Sequence, residues 1–250
     1  EFRSVGFSQS IATPNFIINT IVADALSQIA DRLEKASDFK DEVNAVIKEI
    51  IKKHKRIIFN GNNYCDEWVK EAEKRGLHNL KTTVDVIPAF IEEKNVRLFE
   101  KYGVLSPTEL HSRYEIQLEN YVKTIRIEAL TMIEMAGRQI LPACATYVRQ
   151  VADTVSSLNA AGADSAAAKD LLNRLIALTT GLRKKLDALN DKVEALDAGG
   201  SDLFEEAKKY KDEIIPLMND LRADADKLET MVDAKLWPIP TYGELLFGLS

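Results

Sequence analysis

Hydrophobic positions along this chain recur at helical spacing almost from end to end. Ile18, Ile21, Val22, Ala25, Leu26, Ile29 and Leu33 fall on one face of a 3.6-residue period. Thr13 as cap and Pro14 at the first helical position mark the expected start. A second helix is predicted over 41–53, with Val43, Val46, Ile47, Ile50 and Ile51 as its buried stripe. Its end carries Lys52, Lys53, His54, Lys55 and Arg56, which suit the negative pole of the helix dipole. Asn60-Gly61-Asn62-Asn63 has turn chemistry. Short helices follow over 66–75, closed by Gly76, and over 94–102, stopped by Gly103; Thr82-Thr83-Val84-Asp85 starts another between them.

Ser106-Pro107-Thr108-Glu109 reads as a capping box at the head of a long helix. Leu110, Tyr114, Leu118, Tyr121, Val122, Ile125, Ala129, Met132, Ile133 and Ala136 line its apolar side, and Pro142 is expected to kink or break it. Beyond Gly162 the pattern tightens. Leu172, Leu175, Thr179, Leu182, Leu186, Leu189, Val193 and Leu196 alternate three and four apart, as in a heptad seam. After Gly199-Gly200 the alternation returns through Leu203, Ala207, Tyr210, Ile214, Leu217, Leu221, Leu228 and Met231, with Asp224 as a polar interruption. Two matched seams joined by a glycine turn predict an antiparallel hairpin with arms of roughly 45 Å, its second arm kinked at Pro216. Trp237-Pro238-Ile239-Pro240-Thr241-Tyr242 is expected to be an extended, docking tail. The fold class is therefore all-α: a multi-helix body, a long coiled-coil-like hairpin and an extended C-terminal tail.

Composition narrows the function classes. Hydrophobic residues at 46% and charged residues at 29% are those of an ordinary globular chain. A net charge of −6 over 250 residues argues against nucleic acid as a partner. No run approaches the ~20 apolar residues that span a bilayer, so no membrane partner is expected and a cytoplasmic location fits. Cys65 and Cys144 are far apart and read as reduced structural thiols. His54, His78 and His111 sit on separate elements and do not form a zinc pattern. No nucleophile elbow, Walker loop or dinucleotide fingerprint occurs. The Asn60–Asn63 loop is a plain turn before it is an anion site, and Tyr114, Tyr121 and Met132 are core before they are a cofactor box.

Several runs, in order, carry a family resemblance: Arg56-Ile57-Ile58-Phe59-Asn60-Gly61-Asn62-Asn63-Tyr64, Leu80-Lys81-Thr82-Thr83-Val84-Asp85, Tyr102-Gly103-Val104-Leu105-Ser106 through Ser112-Arg113-Tyr114-Glu115, Ile127-Glu128-Ala129-Leu130-Thr131-Met132-Ile133, and Trp237-Pro238-Ile239-Pro240-Thr241-Tyr242. Together they resemble the C-terminal region of type III glutamine synthetase over nearly the whole chain, most weakly in the alanine-rich hairpin. The resemblance implies a parent ligase that makes glutamine from glutamate, ammonia and ATP, with Mg or Mn, in a large homo-oligomer. It also implies that Glu1 ligates metal and Arg3 meets phosphate or substrate, as an acidic and a guanidinium side chain two apart on one strand face. Residues 1–12 are then the end of the catalytic-barrel region, 13–160 a helical body, 161–236 the hairpin and 237–250 the docking tail. This chain alone is expected to hold no cofactor and to be inactive, since two residues at a terminus cannot fix a phosphoryl centre. Its expected partners are the catalytic domain and neighbouring subunits. The competing reading is a stand-alone helical module that binds a partner helix.

Overall fold

A computed structural model describes residues 10–200 and 202–248, and these residues contain helices, turns and no strand. The all-α class read from the periodicity is what the chain adopts. Glu1 and Arg3 lie outside the described residues. The chain divides into two compact units, 1–116 and 117–250, with the boundary inside a long helix.

In the first unit, α1 spans Ala12–Leu33. It begins earlier than the Thr13 cap predicts: Ile11 is the cap and offers no side-chain bond, while Ser10 Oγ accepts from the Ala12 amide at 3.2 Å. Pro14 still lies in the first turn, where amides have no partner within the helix. Helix α2 spans Phe39–His54, and Asp38 caps it by accepting from the Asp41 amide. Arg32 of α1 clamps the pair, reaching Glu42 and Glu49 at 2.5 Å each. Next come α3 (Asp66–Lys74), α4 (Thr83–Val86, capped by Thr82) and α5 (Glu93–Lys101). Gly76 and Gly103 close α3 and α5 at φ 68° and 60°, a left-handed turn that other residues resist. The core of this unit is Phe99, Leu105 and Leu110, with Phe16, Ile17, Phe90 and Val96 against it. Phe16 meets Phe99 edge-on at 5.8 Å, and Arg113 lies over the Phe16 ring. Asp24 of α1 takes hydrogen bonds from Lys101 (2.8 Å) and Tyr102 (3.0 Å), fixing α1 to the end of α5.

Helix α6 (Pro107–Met135) starts with the capping box as read: the Ser106 amide donates to Glu109 at 2.8 Å and Ser106 Oγ accepts from the Glu109 amide at 3.3 Å. Pro142 does not break the helix. A π-turn over Ala136–Ile140 precedes it, in which the Leu141 amide bonds to Ala136 O, and α7 (Leu141–Ala160) continues directly. Pro216 is met in the same way. Between α9 (Leu203–Lys209) and α10 (Ile215–Glu229) a π-turn over Tyr210–Ile214 carries an Ile215 amide to Tyr210 O bond. A wide turn just before each proline moves the carbonyls that its ring would otherwise strike.

In the second unit, α8 (Ala166–Asp197) is the central rod. Leu175, Leu182, Leu186, Leu189, Val193 and Leu196 of its seam are all buried. It runs antiparallel to α9–α10, as shown by the Lys192–Glu213 pair and by Lys185–Asp224 at 2.7 Å. It also runs antiparallel to α6–α7, where Arg126 grips Asp197 with two bonds of 2.7 Å and Ser165 Oγ donates to Asn159 at 2.7 Å. The two seam arms thus belong to a three-rod bundle, whose interior holds Ala129, Ala136, Cys144, Tyr210, Ile214, Leu221 and Leu228. The tail is extended only in part. Residues Tyr242–Phe247 form α11, because Thr241 and Glu244 supply a second capping box and Gly248 a left-handed cap.

Candidate functional site

The first unit presents what the periodicity marks as apolar and what the described fold leaves open. On α1 Thr20 is buried, Phe16 and Ile17 pack on the core, and Ile18, Asp24, Ile29 and Leu33 are half-buried, so the apolar stripe is open only in its middle. Thr20 is buried because its hydroxyl donates to Phe16 O at 2.7 Å, while Asp24 is held by Lys101 and Tyr102. Ile21, Val22 and Leu26 remain 52%, 49% and 59% exposed. On α2 only Val46 is buried, and Ile47, Ile50 and Ile51 are 50%, 40% and 53% exposed. Ile57 and Ile58 extend the open apolar surface just beyond α2. Single exposed apolar residues are ordinary, but a continuous stripe of them is the mark of a docking surface.

Charge follows the same pattern. The hydrogen bonds of Lys101 and Tyr102 hold the Asp24 carboxyl below the usual carboxylate range. Those from Arg32 do the same for Glu49. These ion pairs are solvated and orient helices; none of them poises a proton for catalysis. In the second unit a groove of about 600 Å³ is bordered by Met132, Met135, Ile140, Leu221, Ile239 and Leu245, among others. It is largely apolar, with Arg222 and Asp226 paired to each other at its edge at 3.4 Å.

Among the described residues no three His, Cys, Asp or Glu converge on a metal-sized site. The described residues do not supply a ligand set for Mg or Mn. His54, His78 and His111 are exposed on α2, the loop after α3, and α6. Cys65 and Cys144 are free thiols; burial pushes the Cys144 thiol up to about 11. Tyr114, Tyr121 and Met132 are half-buried on α6. Gly61 has no positive φ; its place is set by Phe59, whose ring would come within 2.6 Å of a Cβ there. The Asn62 side chain accepts from the Tyr64 amide at 3.0 Å, which makes the loop a local turn. Sequence reasoning missed Asp38 as a cap, and the Asp38-x-x-Asp41 spacing was the available signal. It also missed that the α1 and α2 stripes stay open, for which a single chain carries no signal. No helix of the described residues is long and apolar enough to cross a membrane.

An all-helical domain with an open apolar face and no metal-binding cluster among its described residues is the class that this architecture defines. Residues 42–159 match the family described as the glutamine synthetase C-terminal domain. The chain is 34% identical to a type-3 glutamine synthetase of Dictyostelium discoideum, over 99% of its own length and 35% of that protein. It is 37% identical to a glutamine synthetase of Butyrivibrio fibrisolvens over 85% of this chain and 30% of the relative. With a glutamine synthetase of Bacteroides fragilis it shares 26% identity over 99% of the chain and 35% of the relative. The chain belongs to the C-terminal domain of type III glutamine synthetase. It spans about a third of the length of the curated relatives it matches.

Proposed function

We propose that this chain is the C-terminal helical part of a glutamine synthetase that joins ammonia to glutamate at the expense of ATP. Its role there is to brace the catalytic portion and contribute to contacts between subunits. The carrying observation is the open stripe of Ile21, Val22 and Leu26 on α1 and Ile47, Ile50 and Ile51 on α2. Two helices this apolar on one face bury it against something. The relatives are about three times as long as this chain, so the rest of such a polypeptide is the occupant we assign. Fully burying each such aliphatic side chain is worth about 1.5–3 kcal/mol, enough in sum to hold a domain in place. In this reading Glu1 ligates Mg or Mn and Arg3 contacts phosphate, ATP binds with the catalytic portion, and the enzyme works in the cytoplasm as a homo-oligomer.

The test is a comparison of two purified proteins in one assay. The product of the whole reading frame should form glutamine from glutamate, ammonia and ATP with Mg. This chain alone should release no glutamate-dependent phosphate. A reading frame without a barrel-sized catalytic portion, or turnover by this chain alone, would overturn the proposal.

A further inference from the structure

Helix α2 sorts its charges by flank. Glu42 and Glu49 lie on the side turned to α1, where Arg32 holds both. At 3.6 residues per turn, Lys48, Lys52 and Lys55 fall on the opposite side of the open stripe, next to Ile51. Arg56 of the following turn and Arg75 at the end of α3 join them around one cleft, which no carboxylate borders. The first acid on that flank, Asp41, stands about two turns before Lys48. Acids outnumber Lys and Arg in this chain by 39 to 33, and Lys101, Arg126 and Lys185 each hold a carboxylate of another element. Lys48, Lys52, Lys55 and Arg56 form no ion pair among the described residues.

Arg75 is set in place by its own unit. Its Nε donates to Glu71 at 2.6 Å, and its Nη1 donates to Ile58 O at 3.1 Å and to Arg56 O at 3.3 Å. The stacked rings of Phe59 and Trp68, with centroids 4.0 Å apart, flank the guanidinium at 5.8 and 5.6 Å. The two N–H groups on Nη2 are given no acceptor by these bonds. Lysines in water need no partner. These border the stripe of Ile47, Ile50 and Ile51, so whatever covers the stripe also comes against them. A basic surface there would be repelled and a neutral one would strip water from cations without replacing it, whereas an acidic one is drawn in and held in register.

We propose that the surface seated on the α1–α2 stripe pairs its apolar ridge with an acidic one, whose carboxylates face Lys48, Lys52, Lys55 and Arg56 and accept from Arg75 Nη2. The occupant is the part of the polypeptide outside these 250 residues. The inference rests on the docking proposed above and adds the chemistry of the docked partner. Treating the product of the whole reading frame with a water-soluble carbodiimide tests it. The reagent joins a lysine amine to a touching carboxylate as an amide and takes up the water as a urea, leaving no spacer. Mass spectrometry should find Lys48, Lys52 or Lys55 joined to Asp or Glu outside these 250 residues. Links only to carboxylates within this stretch, or no links, overturn the proposal. Hydrogen exchange keeps it distinct from the docking itself. The α2 amides should exchange more slowly in the whole product than in this chain, and Lys52→Glu/Lys55→Glu should speed them at least about tenfold there. Lys184→Glu/Lys235→Glu, made in the other unit, should leave them unchanged. Replacing the crosslinked carboxylate by lysine should restore protection to the Lys52→Glu/Lys55→Glu protein, which a mere weakening of the helix end would not allow. Protected α2 amides that ignore the charge reversal overturn the acidic partner and leave the docking standing. Amides equally fast in both proteins overturn docking and partner together.

Discussion

At the scale of single residues, the contacts that matter are those joining elements far apart in sequence. Arg126 and Asp197 are 71 residues apart and meet through two parallel bonds of 2.7 Å. The guanidinium holds the Asp197 carboxyl below the ordinary carboxylate range. A depressed folded pKa gives stability above the unfolded value, about 3.9, and loses it as pH falls through the folded value. Both side chains are about two-fifths exposed, at 41% and 37%, so solvent screens the pair. Asp197→Asn should therefore cost only about 0.5–1 kcal/mol at pH 7. The difference from the unsubstituted chain should close as pH falls below the folded value. Urea midpoints of the two proteins at pH 7 and pH 2.5 measure this, and an equal gap at both pH values would show that the ion pair is not its source. Neither residue is distinctive as read: Arg126 stands in a helix repeat and Asp197 on an alanine-rich arm, and only the antiparallel packing of α6 on α8 brings them together.

At the scale of elements, the prolines show where local reading stops. Caps are local, which is why Ser106 with Glu109, Thr82, Gly76 and Gly103 were legible from a few residues of text. The α8 seam was legible too, because a repeat of apolar residues fixes a buried face whatever covers it. The usual α register leaves a proline with a clash and a lost bond, which is why the sequence predicts a kink or break at Pro142 and a kink at Pro216. The register is not usual: a π-turn stands immediately before each, carrying the Leu141 to Ala136 and Ile215 to Tyr210 bonds. No composition rule announces a π-turn; it is chosen by which residues the bundle then buries, here Ala136 and Ile140 in one rod and Tyr210 and Ile214 in the other. A measurable consequence follows for Pro142. In an unrelieved helix its removal would return about 3 kcal/mol. With the clash already avoided, Pro142→Ala should raise stability by less than about 1 kcal/mol. A gain near the full value in chemical denaturation would show that the turn leaves the clash in place.

At the scale of the whole molecule, periodicity identified apolar faces without saying which of them this chain covers. The seams of the second unit are covered by their own neighbours, and Leu175, Leu182, Leu189, Ile214 and Leu228 are almost wholly buried. The stripes of α1 and α2 have the same spacing, yet Ile21, Val22 and Leu26 in the middle of α1 stay exposed, and α2 buries only Val46. The distinction has an energetic signature. A buried aliphatic residue replaced by a smaller or polar one costs about 2–5 kcal/mol, whereas an exposed one away from special contacts changes stability by no more than about 0.5 kcal/mol. The Ile47→Lys/Ile50→Lys variant of this chain should therefore unfold within about 1 kcal/mol of the unsubstituted protein, while Leu182→Ala should lose several times that. On the proposed docking, the same double lysine variant in the intact polypeptide should lower the yield of assembled protein, because two ammonium groups would then have to be buried in place of two isoleucines. Thermal unfolding of the isolated chain and sedimentation of the intact protein separate the two effects. A large loss of stability in the isolated chain would mean that the stripe is covered from within, and unchanged assembly in the intact protein would mean that nothing else covers it.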